Sequence, residues 1–247
     1  YTLSFSEPVS GVDASKFTIL VATGWSIASV DGSGSGPYTI TLTNGSPADG
    51  TLGLRLATAA AVDGAGNTAP ATARSASPTL TIDVTPPVTP SFPTAPTDPD
   101  NQVAPVFAFA GAATGEIYQC QLDGGGWASC STPFTTPTLA EGEHTLDVRL
   151  VDLAGNIGTT ASRTWTVDLT PPANAPTFTA VPPDPDNHAR PAIEFTGADT
   201  GDSYLCKLDT GAWAACTSPL TPTLGEGQHT LTVRLVDAAG NLSLIHI

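Results

Sequence analysis

The chain has 247 residues, a length that suits two or three small domains better than one large catalytic core. Its 8 lysines and arginines stand against 23 aspartates and glutamates, and the formal net charge of −15 argues against nucleic acid and anionic membranes as partners. No apolar run reaches the length of a membrane span, and the acidity fits solubility or the holding of divalent cations.

The sequence opens on Tyr1-Thr-Leu-Ser-Phe-Ser, an alternating strand pattern, and contains no methionine and no signal peptide. The first residue therefore reads as a cut, with any export signal or anchor expected outside it. Asp63-Gly-Ala-Gly-Asn67 supplies a turn, and Thr79-Leu-Thr-Ile-Asp83 alternates as a closing strand. Asp83-Val-Thr-Pro-Pro87 follows, and Asp168-Leu-Thr-Pro-Pro172 repeats it about 85 residues on. Paired prolines lack backbone donors and favour a stiff, extended chain, so they suit short joints between domains. The expected segments are 1–84, 85–169 and 170–247.

The second segment alternates with period two throughout, and turn residues recur at short intervals. This predicts a short strand near Phe92 and strands over Val103 to Ala110, Glu116 to Asp123, Gly126 to Ser131, His144 to Asp152 and Arg163 to Asp168. Leu146, Val148 and Leu150 should face inward, as should Trp165 and Val167, with Thr145, Asp147 and Arg149 facing water. About seven short strands in a segment of this size pack as a two-sheet sandwich. The expected fold class is all-β, with sandwiches in series.

The third segment restates the second. Glu226 to Asn241 repeats Glu141 to Asn156 except at Glu143/Gln228, Asp147/Thr232 and Leu153/Ala238. The segment is read as stopping before its closing strand, which would leave the strand of Leu231, Val233 and Leu235 with an open edge. Leu242-Ser-Leu-Ile-His-Ile247 resembles a translated sequencing adapter, a short genuine strand being the alternative. The first segment shares the closing pattern but has no cysteine, and reads as a cousin lacking its opening strand.

Cys120 and Cys130 recur at the same spacing as Cys206 and Cys216. Paired recurrence in a small domain reads as one disulfide per segment and an oxidising, extracellular compartment, with zinc or redox chemistry as the alternative. A hairpin symmetric about Gly125 would set Cys120 opposite Cys130, Leu122 opposite Ala128 and Asp123 opposite Trp127. In the third segment Gly211 would centre the same pairing, with Asp209 opposite Trp213. The two tryptophans then lie off the core face, packed on the hairpin or a neighbour, or stacking on a sugar. His144 and His229 share the parity of the inward leucines and read as structural, at the rim of the inner face. Asp152-Leu-Ala-Gly-Asn156 is turn chemistry, with calcium as the alternative. Asp98-Pro-Asp100-Asn101 and Asp184-Pro-Asp186-Asn187 are further calcium candidates near the joints. No phosphate loop, His-Glu-x-x-His or nucleophile elbow occurs, and no enzyme activity is expected.

Tyr118-x-Cys-x-Leu-Asp-Gly-Gly-Gly-Trp-Ala-x-Cys130, Glu141-Gly-x-His-Thr-Leu-x-Val-Arg149, Asp152-x-Ala-Gly-Asn156 and Trp165-Thr-Val-Asp-x-Thr-Pro-Pro172 together resemble bacterial Ig-like repeats of very large secreted or surface proteins. Ser4-Phe-Ser-Glu-Pro-Val-Ser-Gly-Val-Asp-Ala-Ser-Lys-Phe17 is similar to a second Ig-like type. The resemblance implies β-sandwiches outside the cell that act as a spacer or adhesin stalk, with neighbouring Ig-like domains of the same chain as partners. It brings no catalytic residues. A glycan- or calcium-dependent binding module, or accessory domains of a secreted hydrolase, are the competing readings.

Overall fold

The computed structural model describes residues 1–20, 24–76 and 79–245; positions 246 and 247 of the terminal string therefore lie outside it. The described residues form antiparallel sheets, with one short 3-10 turn at Ala14–Lys16 and no α-helix. Two compact units divide the chain. One holds Tyr1–Val88 with Ala113–Glu116 and Leu150–Thr159, and the other holds the remaining residues.

In the first unit Tyr38–Asn44 lies between Thr2–Leu3 and Trp25–Asp31. A second sheet centres on Gly50–Leu56, which pairs with Phe17–Leu20, Leu80–Ile82 and Arg74–Ser75. Alternate residues of both sheets meet in a core of Phe17, Tyr38, Ile40, Leu54, Leu56 and Ala60.

In residues 89–169 the order Ala128–Cys130, Ile117–Leu122, Gly142–Val151, Ala161–Val167 makes one sheet, and Ser91–Thr94, Val106–Ala110, Phe134–Thr135 makes the other. The alternation in the sequence places the core. Leu146, Val148, Trp165 and Val167 are fully buried, and Trp165 meets the edge of Phe107 with ring centroids 5.0 Å apart. Two details differ from the expected strands. The strand predicted from Val103 begins at Val106, because buried Pro105 has no N–H to give to a ladder. Phe134–Thr135, which short-range alternation did not signal, pairs with Val106 and Phe107.

Residues 170–245 repeat much of this. Ala214–Cys216, Ser203–Leu208 and Leu231–Val236 form one sheet, and Thr177–Ala180 pairs with Glu194–Thr196. Ile193, Phe195, Cys206 and Val233 are the buried centre.

Candidate functional site

The cysteine hairpin is built from its turn. Asp123 and Gly124 both take left-handed φ values, 50° and 70°, and the Gly125 N–H donates to the Leu122 carbonyl at 2.9 Å. An Asp-Gly corner of this kind suits a hairpin because its twist matches that of the flanking strands. The ladder then runs Tyr118↔Cys130, Gln119↔Ser129, Cys120↔Ala128. This corrects the symmetric register: the chain turns at Asp123-Gly124 rather than about Gly125, so Cys120 and Cys130 are diagonal neighbours, and Leu122 and Asp123 do not oppose Ala128 and Trp127. The cysteines are nonetheless disulfide-bonded, with Cα atoms 5.8 Å apart. The third segment makes the same correction, pairing Tyr204↔Cys216 and Cys206↔Ala214, and its Cys206–Cys216 disulfide spans the same 5.8 Å.

What fixes the corner is a tie to a distant strand. The Asp123 N–H donates to the Thr145 carbonyl at 2.9 Å, and its Oδ1 accepts from the Thr145 N–H at 2.8 Å. Its Oδ2 meets His144 Nδ1 at 2.8 Å, while His144 Nε2 lies 3.0 Å from the Ala140 carbonyl. Both imidazole nitrogens thus face acceptors, an arrangement that suits the doubly protonated ring. Burial opposes that charge, but Asp123 and the Ala140 carbonyl outweigh it and raise the His144 pKa. Asp123 is lowered in turn: burial works against its charge, and His144 with the Thr145 N–H prevails. Asp209, His229 and Thr230 repeat the clamp, at 2.8 Å for the ion pair and 2.7 Å for the Thr230 N–H. There Asp209 and the Gly225 carbonyl raise the histidine. The cysteines are oxidised, so the histidine has no thiolate to activate.

Trp127 and Trp213 are half-buried on the hairpin's outer face. The Arg149 guanidinium lies 4.0 Å from the Trp127 ring centre, and Arg234 lies 4.0 Å from that of Trp213. A cation on the ring is attracted by its quadrupole. Arg149 is held there by Gln119, whose Oε1 accepts from Nε at 3.0 Å and from a terminal nitrogen at 2.9 Å.

The Asp-x-Ala-Gly-Asn turns close on themselves. Asp152 accepts from the Asn156 N–H and side-chain amide, both at 2.9 Å, and Gly155 supplies φ 93°. Asn156 chiefly, together with backbone N–H groups, lowers the Asp152 pKa against some burial. Asp63 with Asn67 and Asp237 with Asn241 form the same turn. In the two later turns the amide has a second acceptor. Asn156 donates to the Asp83 carbonyl at 3.0 Å and Asn241 to the Asp168 carbonyl at 2.8 Å. Each joint is fastened on its other side too. Asp83 and Asp168 accept from Thr85 and Thr170 N–H groups, and the two threonine hydroxyls donate to Asp49 and Glu141. Turn chemistry was legible in the sequence, whereas this reach to the linker carbonyl was not.

The remaining carboxylates are engaged one by one. Asp98 accepts from the Thr166 N–H at 3.0 Å, and buried Asp100 exchanges backbone bonds with Thr166 and Asp168. Asp186 meets His188 Nδ1 at 2.6 Å. Asn101 lies where a side chain added at Gly240 would reach it. Asp184 lines a groove together with Asp186. Among the described residues no three carboxylate, histidine or cysteine side chains converge as a metal-ligand group. Nor is any helix among them long and apolar enough to cross a membrane.

That groove, in residues 170–245, has a volume of about 530 Å³. Phe178, Ile193, Leu231 and His229 form its apolar wall, and Asp184 and Asp186 its rim. A smaller cavity of about 290 Å³ in the first unit lies between Leu3, Phe5, Leu54 and Ala76.

No curated protein matches the chain. Solved structures with a related course of chain include the fibronectin(III)-like modules of CbhA from Clostridium thermocellum, at 19% identity over 64% of this chain and 80% of that one, TM-score 0.34. A 1.5-MDa bacterial ice-binding adhesin aligns at 16% identity over 97% of this chain and 83% of its own, TM-score 0.32. Domains 7, 8 and 9 of the S-layer protein SbsC align at 13% identity over 97% and 78%, TM-score 0.25. Superpositions this loose say nothing more about the chain. The family evidence is local and lies on the hairpin turn, the clamp, the joint turn and the closing strand: residues 124–169 match the family described as Bacterial Ig-like domain.

Proposed function

We propose that the chain is a run of non-catalytic spacer modules in a large bacterial extracellular or surface protein, a stalk that holds a binding head of an adhesin away from the cell. The observation that carries this reading is the joint made twice from the same parts: an Asx-capped Thr-Pro-Pro linker, a carboxylate on the linker threonine, and an asparagine on the linker carbonyl. Prolines limit bending between those bonds. A joint repeated with its fastenings serves reach and stiffness, and oxidised cysteines suit an exterior setting. Neighbouring Ig-like modules of the same chain are the partners that such joints require. The tryptophans favour this reading over sugar stacking, since one ring face already carries a guanidinium.

The test is the stiffness of the joints. Asn156→Ala and Asn241→Ala should each leave the flanking modules folded and broaden the distribution of inter-module distances measured by paired spin labels. Distributions identical to the parent chain in both variants would remove the joint as the basis of a spacer role.

A further inference from the structure

The outer faces of the two disulfide hairpins differ in charge. On the second segment the Arg149 guanidinium stacks on Trp127, and Gln119 Oε1 accepts from its Nε at 3.0 Å and from a terminal nitrogen at 2.9 Å. Gln121 and Asp147 complete that face, so Arg149 and Asp147 cancel. On the third segment Leu205, Lys207 and Thr232 stand at the places of Gln119, Gln121 and Asp147. Nothing there offsets Arg234, and Lys207 adds a second positive charge.

The register brings these two cations together. Leu205 pairs with Arg234 and Lys207 with Thr232 on adjacent strands, so the four side chains share one face, opposite the buried Cys206 and Val233. The Arg234 guanidinium lies 4.0 Å from the Trp213 ring centre, and the Lys207 ammonium lies 5.4 Å from it. Among the described residues the Arg234 Nε has no hydrogen-bond partner, and the ion pairs are those of three histidines, so neither cation has a carboxylate beside it. Two of the chain's 8 basic residues thus meet on one indole without a counter-charge, in a chain of net charge −15. The face is independent of a closing strand. In the second segment that strand pairs only as far as Val148, and the neighbour on the other side is Ile117–Leu122, which carries Gln119.

We propose that Lys207, Arg234 and Trp213 form a carboxylate-binding site, whose ligand is an extended acidic segment of a second polypeptide. Lys207 and Arg234 are diagonal neighbours across the strand pair, about 7–8 Å apart at the backbone. Side chains two residues apart on an extended chain are separated by about 7 Å. Glutamates or aspartates in alternation therefore place one carboxylate on the Lys207 ammonium and the next on the terminal nitrogens of Arg234. The indole holds the guanidinium flat, which leaves its edge to the ligand and keeps a sugar ring from stacking on that face. At physiological salt, charges beyond about 8 Å are screened, so the local pair outweighs the acidity of the rest of the chain. The inference goes beyond the spacer reading and does not rest on it, since no joint takes part.

A fluorescein-labelled peptide of alternating glutamate and threonine, added to the whole chain, should give saturable anisotropy that weakens as sodium chloride is raised. Amide shifts should be confined to 204–208, 213–216 and 231–235. Lys207→Gln should weaken binding about 5-fold and Arg234→Gln at least about 10-fold, whereas Arg149→Gln should leave it unchanged. Gln121→Lys with Asp147→Thr should create a second site of the same kind and double the stoichiometry. Absence of saturation up to millimolar peptide in low salt would overturn the proposal. So would undiminished binding by both third-segment variants, equal binding of a peptide with glutamine in place of glutamate, or tighter binding of a uronate oligosaccharide of equal charge, which would assign the site to acidic sugars.

Discussion

The second and third segments carry the same disulfide hairpin and the same Asp-His clamp, yet only the second has a closing strand among the described residues. Leu231–Val236 is accordingly shorter than Gly142–Val151, and the positions equivalent to Gly142, Glu143 and His144 are exposed and outside any strand. The clamp does not depend on that strand: His229 keeps Asp209 and the Gly225 carbonyl although, among the described residues, no strand pairs with its backbone. The hairpin and clamp are thus one local device, and the closing strand with Trp165 is another that extends and covers it. Side-chain ties across the sheet hold the corner, whereas ladder pairing holds the length of the strand.

The largest effect should come from removing the second device where it exists. Trp165→Ala deletes a fully buried indole and should destabilise the second module by about 3–5 kcal/mol. Urea unfolding followed by amide signals from each module should show the second melting early and the third unmoved. Equal loss in both modules would break the separation between the devices. Next in size are the disulfides. Cys120→Ala with Cys130→Ala, and separately Cys206→Ala with Cys216→Ala, should each cost about 2.5–3 kcal/mol in the chain-entropy view, since both close loops of equal length. Near-equal losses are the signature of a hairpin that works alike in both settings.

A smaller difference lies on the outer face. Arg149 is anchored by Gln119, but Leu205 occupies the equivalent place beside Arg234, whose buried Nε has no hydrogen-bond partner among the described residues. Leaving such a donor unpaired is costly, so Leu205→Gln should stabilise the third module by about 1 kcal/mol, and Gln119→Leu should destabilise the second by about 1–3 kcal/mol. Denaturant midpoints moving oppositely in the two variants would check this.

The strands and inward faces were legible because both follow from local alternation: Leu146, Val148, Trp165 and Val167 lie where period two puts them. The cysteine pairing was legible from recurrence. The hairpin register was not, since the run of glycines suggested a centre at Gly125 while the deciding bonds run from Asp123 to His144 and Thr145, about twenty residues away. The Asp-Gly dipeptide was the one local signal that pointed to the observed corner. The joint escaped for the same reason. Asn156 reads as a turn residue, and its bond to Asp83 closes a separation that no window of sequence spans.

The smallest expected effect is titration of the clamp, and its sign follows from both partners. The two histidines are raised above 6.5, so their contribution is complete below that pH and is lost as pH rises through the folded values. Asp123 and Asp209 are lowered below 3.8, so theirs is complete above that value and is lost as pH falls further. Stability of both modules should therefore pass through a plateau between these limits and decline on either side. His144→Gln and His229→Gln should each flatten the alkaline decline of their own module, read as melting temperature against pH from 6.5 upward. A slope that persists in the glutamine variants would assign the pH dependence to groups outside the clamp and leave the corner to be held by Asp123 and the Thr145 backbone alone.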